Sequence, residues 1–304
     1  MASTSDLIPR ERLMHLNQLR DEPAWFRLLS HLVVIIAAGV LWRSADLPWL
    51  LRLPALLVSG VALATCFAPL HECCHRTAFR SRQHNDLVAW WMGVLSFYNS
   101  TFYRRYHQWH HRFTHQPGLD PELDDPVPTS LWTYGLEISG WTWWTGKLRG
   151  YARLLFGDLS QLPYLSTEVI PQVRRSIRLQ FAVYAALIGV SLIHGNGFLL
   201  WSWLLPLMVG QPFLRLFVLA EHSGCSFGAD GLANTRTTLT TAPVRWLMWN
   251  MPFHAEHHLY PSLPFHALPQ AHHHLRDRLQ HVDHGYLAVH RRLLQQLPSL
   301  APAA

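Results

Sequence analysis

Charge is scarce in this 304-residue chain: Asp, Glu, Lys and Arg together make up 14%, where an ordinary soluble domain carries about a quarter. Lysine is nearly missing, with Lys147 the single lysine among 25 basic residues. Cysteine is sparse too. Cys66, Cys73, Cys74 and Cys225 form neither a C-x-x-C pair nor a disulfide-scaffold pattern, which points to a reducing compartment. There is no G-x-G-x-x-G fingerprint, no internal repeat, and no low-complexity segment beyond the Ala/Pro-rich end at 299–304. The first 24 residues are polar and lack the short apolar core and small-residue cleavage site of a secretory signal, so none is expected.

Apolar and aromatic residues fill the space that charge leaves. Hydrophobic residues reach 49% and tryptophan numbers 14, which excludes a disordered chain. The net charge is +6, yet the basic residues flank long apolar runs instead of gathering on one solvated face. That excludes a reader of nucleic-acid backbones. Four runs, at 25–42, 47–70, 177–193 and 198–220, approach or exceed the roughly 17–20 apolar residues that cross a bilayer. Short links at 43–46 and at the G-N-G turn after His194 pair them into two hairpins. Segments 87–103 and 131–144 are Trp-rich but carry Asn99, Ser100, Thr133 and Glu137. These read as amphipathic helices lying in the interface. Basic residues concentrate before the first run and between 71 and 176, leaving the 194–197 turn bare. The positive-inside rule then puts both termini and the central stretch in the cytoplasm. The expectation is a single all-α integral-membrane domain over 1–304, with a polar segment at 1–24 and a C-terminal tail at 276–304.

Histidine is the excess that needs a reason: 21 of 304 residues. Three clusters hold most of the interest. His71-Glu72-Cys73-Cys74-His75 puts two imidazoles four apart on one helical face. His107-Gln108-Trp109-His110-His111 and His254-Ala255-Glu256-His257-His258 both read H-x-x-H-H. All three fall on the side assigned to the cytoplasm. Neutral imidazole is a good ligand for iron, copper or zinc, and eight are too many for one tetrahedral zinc with an open position. They suit two metals. The first cluster alone also satisfies the H-E-x-x-H pattern of a zinc protease, with Glu72 as base, but that reading leaves both H-x-x-H-H boxes idle. A carboxylate-bridged di-iron bundle needs two Glu-x-x-His pairs, and only Glu72–His75 has the spacing. A metal transporter or sensor would set its ligands within the spans, along a path.

With these boxes in order, the chain resembles the integral-membrane fatty acid desaturases and related hydroxylases. The resemblance is carried by H-E-C-C-H at 71–75, H-Q-W-H-H at 107–111 and H-A-E-H-H-L-Y-P at 254–261. A-E-H-S-G at 220–224, N-T-R-T at 234–237 and W-N at 249–250 add to it, so that about 30–275 is covered. The resemblance implies two irons bound by His71, His75, His107, His110, His111, His254, His257 and His258. It implies His222 as the ninth ligand and Asn250 as a possible holder of a metal-bound water. It further implies four spanning helices with interfacial helices and a cytoplasmic di-iron cap built from segments around 71–115 and 245–290, in a bacterial inner membrane. The activity implied is O2-dependent desaturation of a fatty acyl or related lipid chain. The same superfamily includes hydroxylases, decarboxylases and small-metabolite desaturases. Electrons would come from a separate ferredoxin, cytochrome b5-like protein or reductase docking on the Arg-rich face, and an apolar tunnel would admit the lipid.

Other residues near the boxes read more plainly. His31, His84 and His194 are isolated histidines of the ordinary kind. His272, His273 and His274 precede L-R-D-R-L and read as a solvated helix face. Asp120, Glu122, Asp124 and Asp125 lie in a Pro-rich loop whose default is a solvated turn, the functional option being to orient a ligand histidine. His115, four residues past the second box, is a further candidate for that supporting role. Glu72 and Glu256 are placed to hydrogen-bond ligands without being ligands. Cys73 and Cys74 read as small packed hydrophobes.

Overall fold

The computed structural model describes residues 7–124, 127–195 and 197–300. Asp125, most of the Ala/Pro-rich end and Asn196 of the G-N-G turn lie outside them, as do the first six residues of the polar N-terminal segment. Fourteen α-helices and one short strand pair are described. Helix α1 (Arg10–Leu16) precedes α2 (Asp21–Arg43), α3 (Trp49–Ala64) and α4 (Phe67–His75). Then come α5 (Arg82–Ser96), α6 (Ser100–Phe113), α7 (Leu131–Ile138), α8 (Trp141–Phe156), α9 (Ile170–Ile193) and α10 (Leu205–His222). The C-terminal part holds β1 (Thr237–Leu239), α11 (Ala242–Leu247), α12 (His254–Leu259), α13 (Leu268–Leu275), β2 (Val282–His284) and α14 (Tyr286–Gln296).

Four helices are long and apolar enough to cross a membrane: Asp21–Arg43, Trp49–His75, Ile170–Ile193 and Leu200–His222. Each expected span is present; the first three helices are longer than their apolar runs, and the fourth is shifted two residues towards His222. Polar ends continue the helices, as where Asp21 and Glu22 occupy the first turn of α2, the end that favours negative charge. The second span, largely buried, runs through α3 and α4 and carries the first histidine box at its end. The first and third present most of their surface outward, as lipid-facing helices do.

One contact fixes the frame. Gly60 of α3 and Gly210 of α10 meet backbone to backbone, so a Cβ on Gly210 would overlap the Gly60 carbonyl. Small residues permit such an approach between membrane helices, and it holds α10 along α3. His222, at the end of α10, is thereby carried to the level of the first box.

The two expected interfacial helices are each interrupted. The stretch 87–103 is divided where Phe97 turns left-handed at φ 58°. A new helix then starts at Asn99, whose side chain accepts from the Phe102 N–H. The stretch 131–144 is divided at Gly140, which stands at φ 79°. The C-terminal region also departs from expectation. The stretch read as a tail contains α14, whose Val289 and Leu293 are buried beside Ala220 of α10. The three-residue strands β1 and β2 pair in parallel and tie this end to the loop after α10.

A candidate metal centre

Four helices bring nine imidazoles together. Helix α4 supplies His71 and His75, α6 supplies His107, His110 and His111, α10 supplies His222, and α12 supplies His254, His257 and His258. They divide into two adjoining sets. In the first, His71, His75, His107, His111 and His257 each offer a nitrogen within 4.8 Å of the others. In the second, His110, His222 and His258 do the same, and His254 joins through Nε2, 3.2 Å from that of His222 and 3.1 Å from that of His258. The sets touch where the rings of His111 and His258 stack at 4.1 Å.

The donor geometry fits metal. Nitrogens bound at right angles to one transition metal about 2.0–2.1 Å away lie roughly 3 Å apart. The Nε2 atoms of His107 and His111 are 3.0 Å apart, and those of His111 and His257 3.1 Å. Several ring nitrogens are buried with no hydrogen-bond partner: both of His71, and Nε2 of His75 and of His110, the last lying 3.7 Å from a Glu122 carboxylate oxygen. A buried polar atom without a partner is costly, and a metal lone-pair bond would remove that cost. Burial holds His107, His111, His254, His257 and His258 well below the usual histidine pKa, so they are neutral donors at physiological pH.

Hydrogen bonds at Nδ1 set which nitrogen of some rings faces inward. His110 Nδ1 donates to the Asp120 carboxylate at 2.9 and 3.0 Å. Asp120 is itself buried and accepts from the backbone N–H groups of His115 and Glu122. Burial alone would lower the His110 pKa, but the Glu122 and Asp120 carboxylates outweigh it and raise it. His222 Nδ1 donates to the Asn234 carbonyl at 3.1 Å. The Thr114 hydroxyl donates to the His110 carbonyl at 2.8 Å, which leaves its oxygen to accept from His258 Nδ1 at 3.0 Å. Such partners fix tautomer and ring direction.

Asp120 is therefore no solvated turn residue, because its oxygens are consumed by the box and by the turn that follows it; Asp124 is exposed as expected. His115 stands outside the two sets, with Nδ1 on the Ser226 carbonyl and its ring stacked on Phe227. Asn250 sits in a left-handed turn at φ 60° and donates to the Phe265 carbonyl. Glu72 and Glu256 do not bond the box histidines. Glu72 accepts from the Thr77 hydroxyl and the Phe265 N–H, an arrangement that leaves it poorly placed as a protease base. Glu256 takes Thr237 and His272. His272 is thus a correction: it is buried against Glu256, whereas His273 and His274 are exposed. Glu256 lies sixteen residues away, so local sequence gave no signal of the pair. Cys73 and Cys74 are buried free thiols, packed as small hydrophobes.

An all-α chain with four membrane-length helices and a histidine cage able to bind metal defines a membrane metalloprotein class. The fatty acid desaturase profile matches residues 47–290, and the chain belongs to that family of oxidoreductases. An sn-1 oleoyl-lipid 12-desaturase of Picosynechococcus sp. is 25% identical over 286 residues, covering 88% of this chain and 79% of its own length. The sphingolipid delta(4)-desaturase of Homo sapiens is 26% identical over 251 residues, covering 78% and 70%. A fatty acid desaturase of Bacillus subtilis is 24% identical over 256 residues, covering 77% and 70%.

Proposed function

We propose that this protein is an O2-dependent di-iron desaturase acting on a lipid acyl chain. The observation that carries the reading is the division of nine buried or half-buried imidazoles into adjoining sets of five and four. His71, His75, His107, His111 and His257 would hold one iron, and His110, His222, His254 and His258 the other. Two irons so held supply, with O2 and two electrons, the oxidising power to remove hydrogen from an unactivated C–H bond.

The chain's own residues prepare the site. Asp120, the Asn234 carbonyl and the Thr114 hydroxyl keep the Nδ1 protons of His110, His222 and His258, turning their Nε2 lone pairs inward. Fully buried Trp249 and Met248, with Phe265, exclude water beside the first box. The domain comprises 1–304, its spans form two hairpins in a bacterial cytoplasmic membrane, and both termini and the histidine cap face the cytoplasm. A separate ferredoxin, cytochrome b5-like protein or reductase delivers electrons to the Arg-rich face.

The test is elemental analysis of protein purified in detergent after expression with iron, followed by product analysis with O2 and an electron donor. Two irons per chain, little zinc and an alkene product are expected. His257→Ala should abolish turnover and lower bound iron, and His273→Ala should do neither. One zinc and no iron after iron loading would overturn the reading.

A further inference from the structure

Helix α10 ends in Glu221 and His222, and only the histidine belongs to the nine-imidazole cage. Glu221 is 8% exposed, at the end of a helix long enough to span the membrane. Its Oε1 is buried without a hydrogen-bond partner. No ion pair joins it to an arginine among the described residues. The Arg215 guanidinium attracts it from further off and gives Nη2 to the Tyr98 hydroxyl at 3.3 Å. A buried carboxylate so placed is expensive and calls for a cation close at hand.

The other carboxylate oxygen points into the cage. Glu221 Oε2 lies 3.5 Å from His254 Nε2, which is also 3.2 Å from His222 Nε2 and 3.1 Å from His258 Nε2. Those two rings keep their protons on Nδ1, for the Asn234 carbonyl and the Thr114 hydroxyl, so both present lone pairs here. The carboxylate presents a third. A proton on His254 Nε2 serves one of these three neighbours, whereas a metal ion serves them all. Donors about 2.0–2.2 Å from one ion stand roughly 3 Å apart at right angles and further apart at wider ones. Charge runs the same way. Nine neutral imidazoles leave two divalent ions with their full charge in a buried site. Glu122, in the loop after α6, brings an oxygen 3.7 Å from His110 Nε2, but its side chain is 33% exposed. Burial apart, repulsion from Glu122 is the strongest influence on Glu221, and a cation between the two would turn repulsion into attraction.

We propose that Glu221 ligates the metal of the four-histidine set. Each metal then has five protein donors: five imidazoles on one side, four imidazoles and a carboxylate on the other. The inference rests on the di-iron reading and deepens it, because one ion carries an anionic ligand and its neighbour none. The two members of the pair are thereby unequal in charge.

The experiment challenges the iron-loaded full chain, in a non-ionic detergent, with graded concentrations of a chelator. It reads iron per chain and unfolding temperature, so it does not depend on turnover. The parent should carry two irons. Glu221→Gln should keep one of them as the parent does and hold the other about a hundredfold more weakly, at or beyond the top of the range for residues that only support a ligand. Its metal-free unfolding temperature should be unchanged or higher, because a buried charge has gone. Glu221→Asp, which keeps the carboxylate, should retain the second iron better than Glu221→Gln. A residue that only packed or hydrogen-bonded would show the reverse order, since Gln matches Glu in shape. Two irons held by Glu221→Gln with parental affinity would overturn the proposal. So would retention by Gln above Asp, or loss of the second iron in Glu122→Gln but not in Glu221→Gln. A parent that binds fewer than two irons would overturn the di-iron reading, and this proposal with it.

Discussion

At the scale of single residues, Asp120 has the most leverage for its size. It lies outside every box, yet it accepts from the Nδ1–H of His110 and ties the turn after α6 through two backbone N–H groups. Asp120→Ala should lower metal affinity or activity about ten- to hundredfold while the protein stays folded, as iron titration and gel filtration would show. Asp120→Asn, which retains an acceptor oxygen, should fall in between. His272 makes a different kind of contribution, because its Nδ1 hydrogen-bonds the buried carboxylate of Glu256 beside the third box. His272→Ala leaves that carboxylate with Thr237 alone and should cost about 1–3 kcal/mol of stability, read as a lower unfolding temperature.

At the scale of elements, the contact of α3 with α10 decides whether the cage closes. A side chain at Gly210 would force these helices apart, so Gly210→Leu should deplete iron as well as stability, the overpacking term being about 1–3 kcal/mol or more. Spans and boxes were legible in the sequence because each is a local signal. A run of apolar residues gives length, and spacings of three and four put His107, His110 and His111 on one helical face. The breaks at Phe97 and Gly140 were less so, since each depends on one residue's backbone angle within a stretch that stays amphipathic. The partners of the cage were the least legible. Asp120 reads as one of four acidic residues in a loop, the Asn234 carbonyl has no sequence identity at all, and Glu256 meets His272 only through the fold.

At the scale of the whole molecule, the cage joins helices that would otherwise carry nine buried or half-buried imidazoles at a desolvation cost. Bound metal stabilises the folded state by linkage. Stripping metal with a chelator should therefore lower the unfolding temperature by several degrees, and iron should restore it; calorimetry or tryptophan fluorescence would follow both. Orientation is checked separately. Green fluorescent protein fused at the C-terminus should fluoresce, and a periplasmic phosphatase fused there should stay inactive.

The cage is also spread along time. His71 leaves the ribosome long before His258, and neither set is complete until α12 has been made. The five-nitrogen set lacks His257 until then, and the other lacks His254 and His258. Metal capture by both sets would thus be a late event in the life of the chain, a certificate that its final third has been translated and docked. A ribosome that stops between α10 and α12 yields all four membrane-length helices and neither histidine set complete.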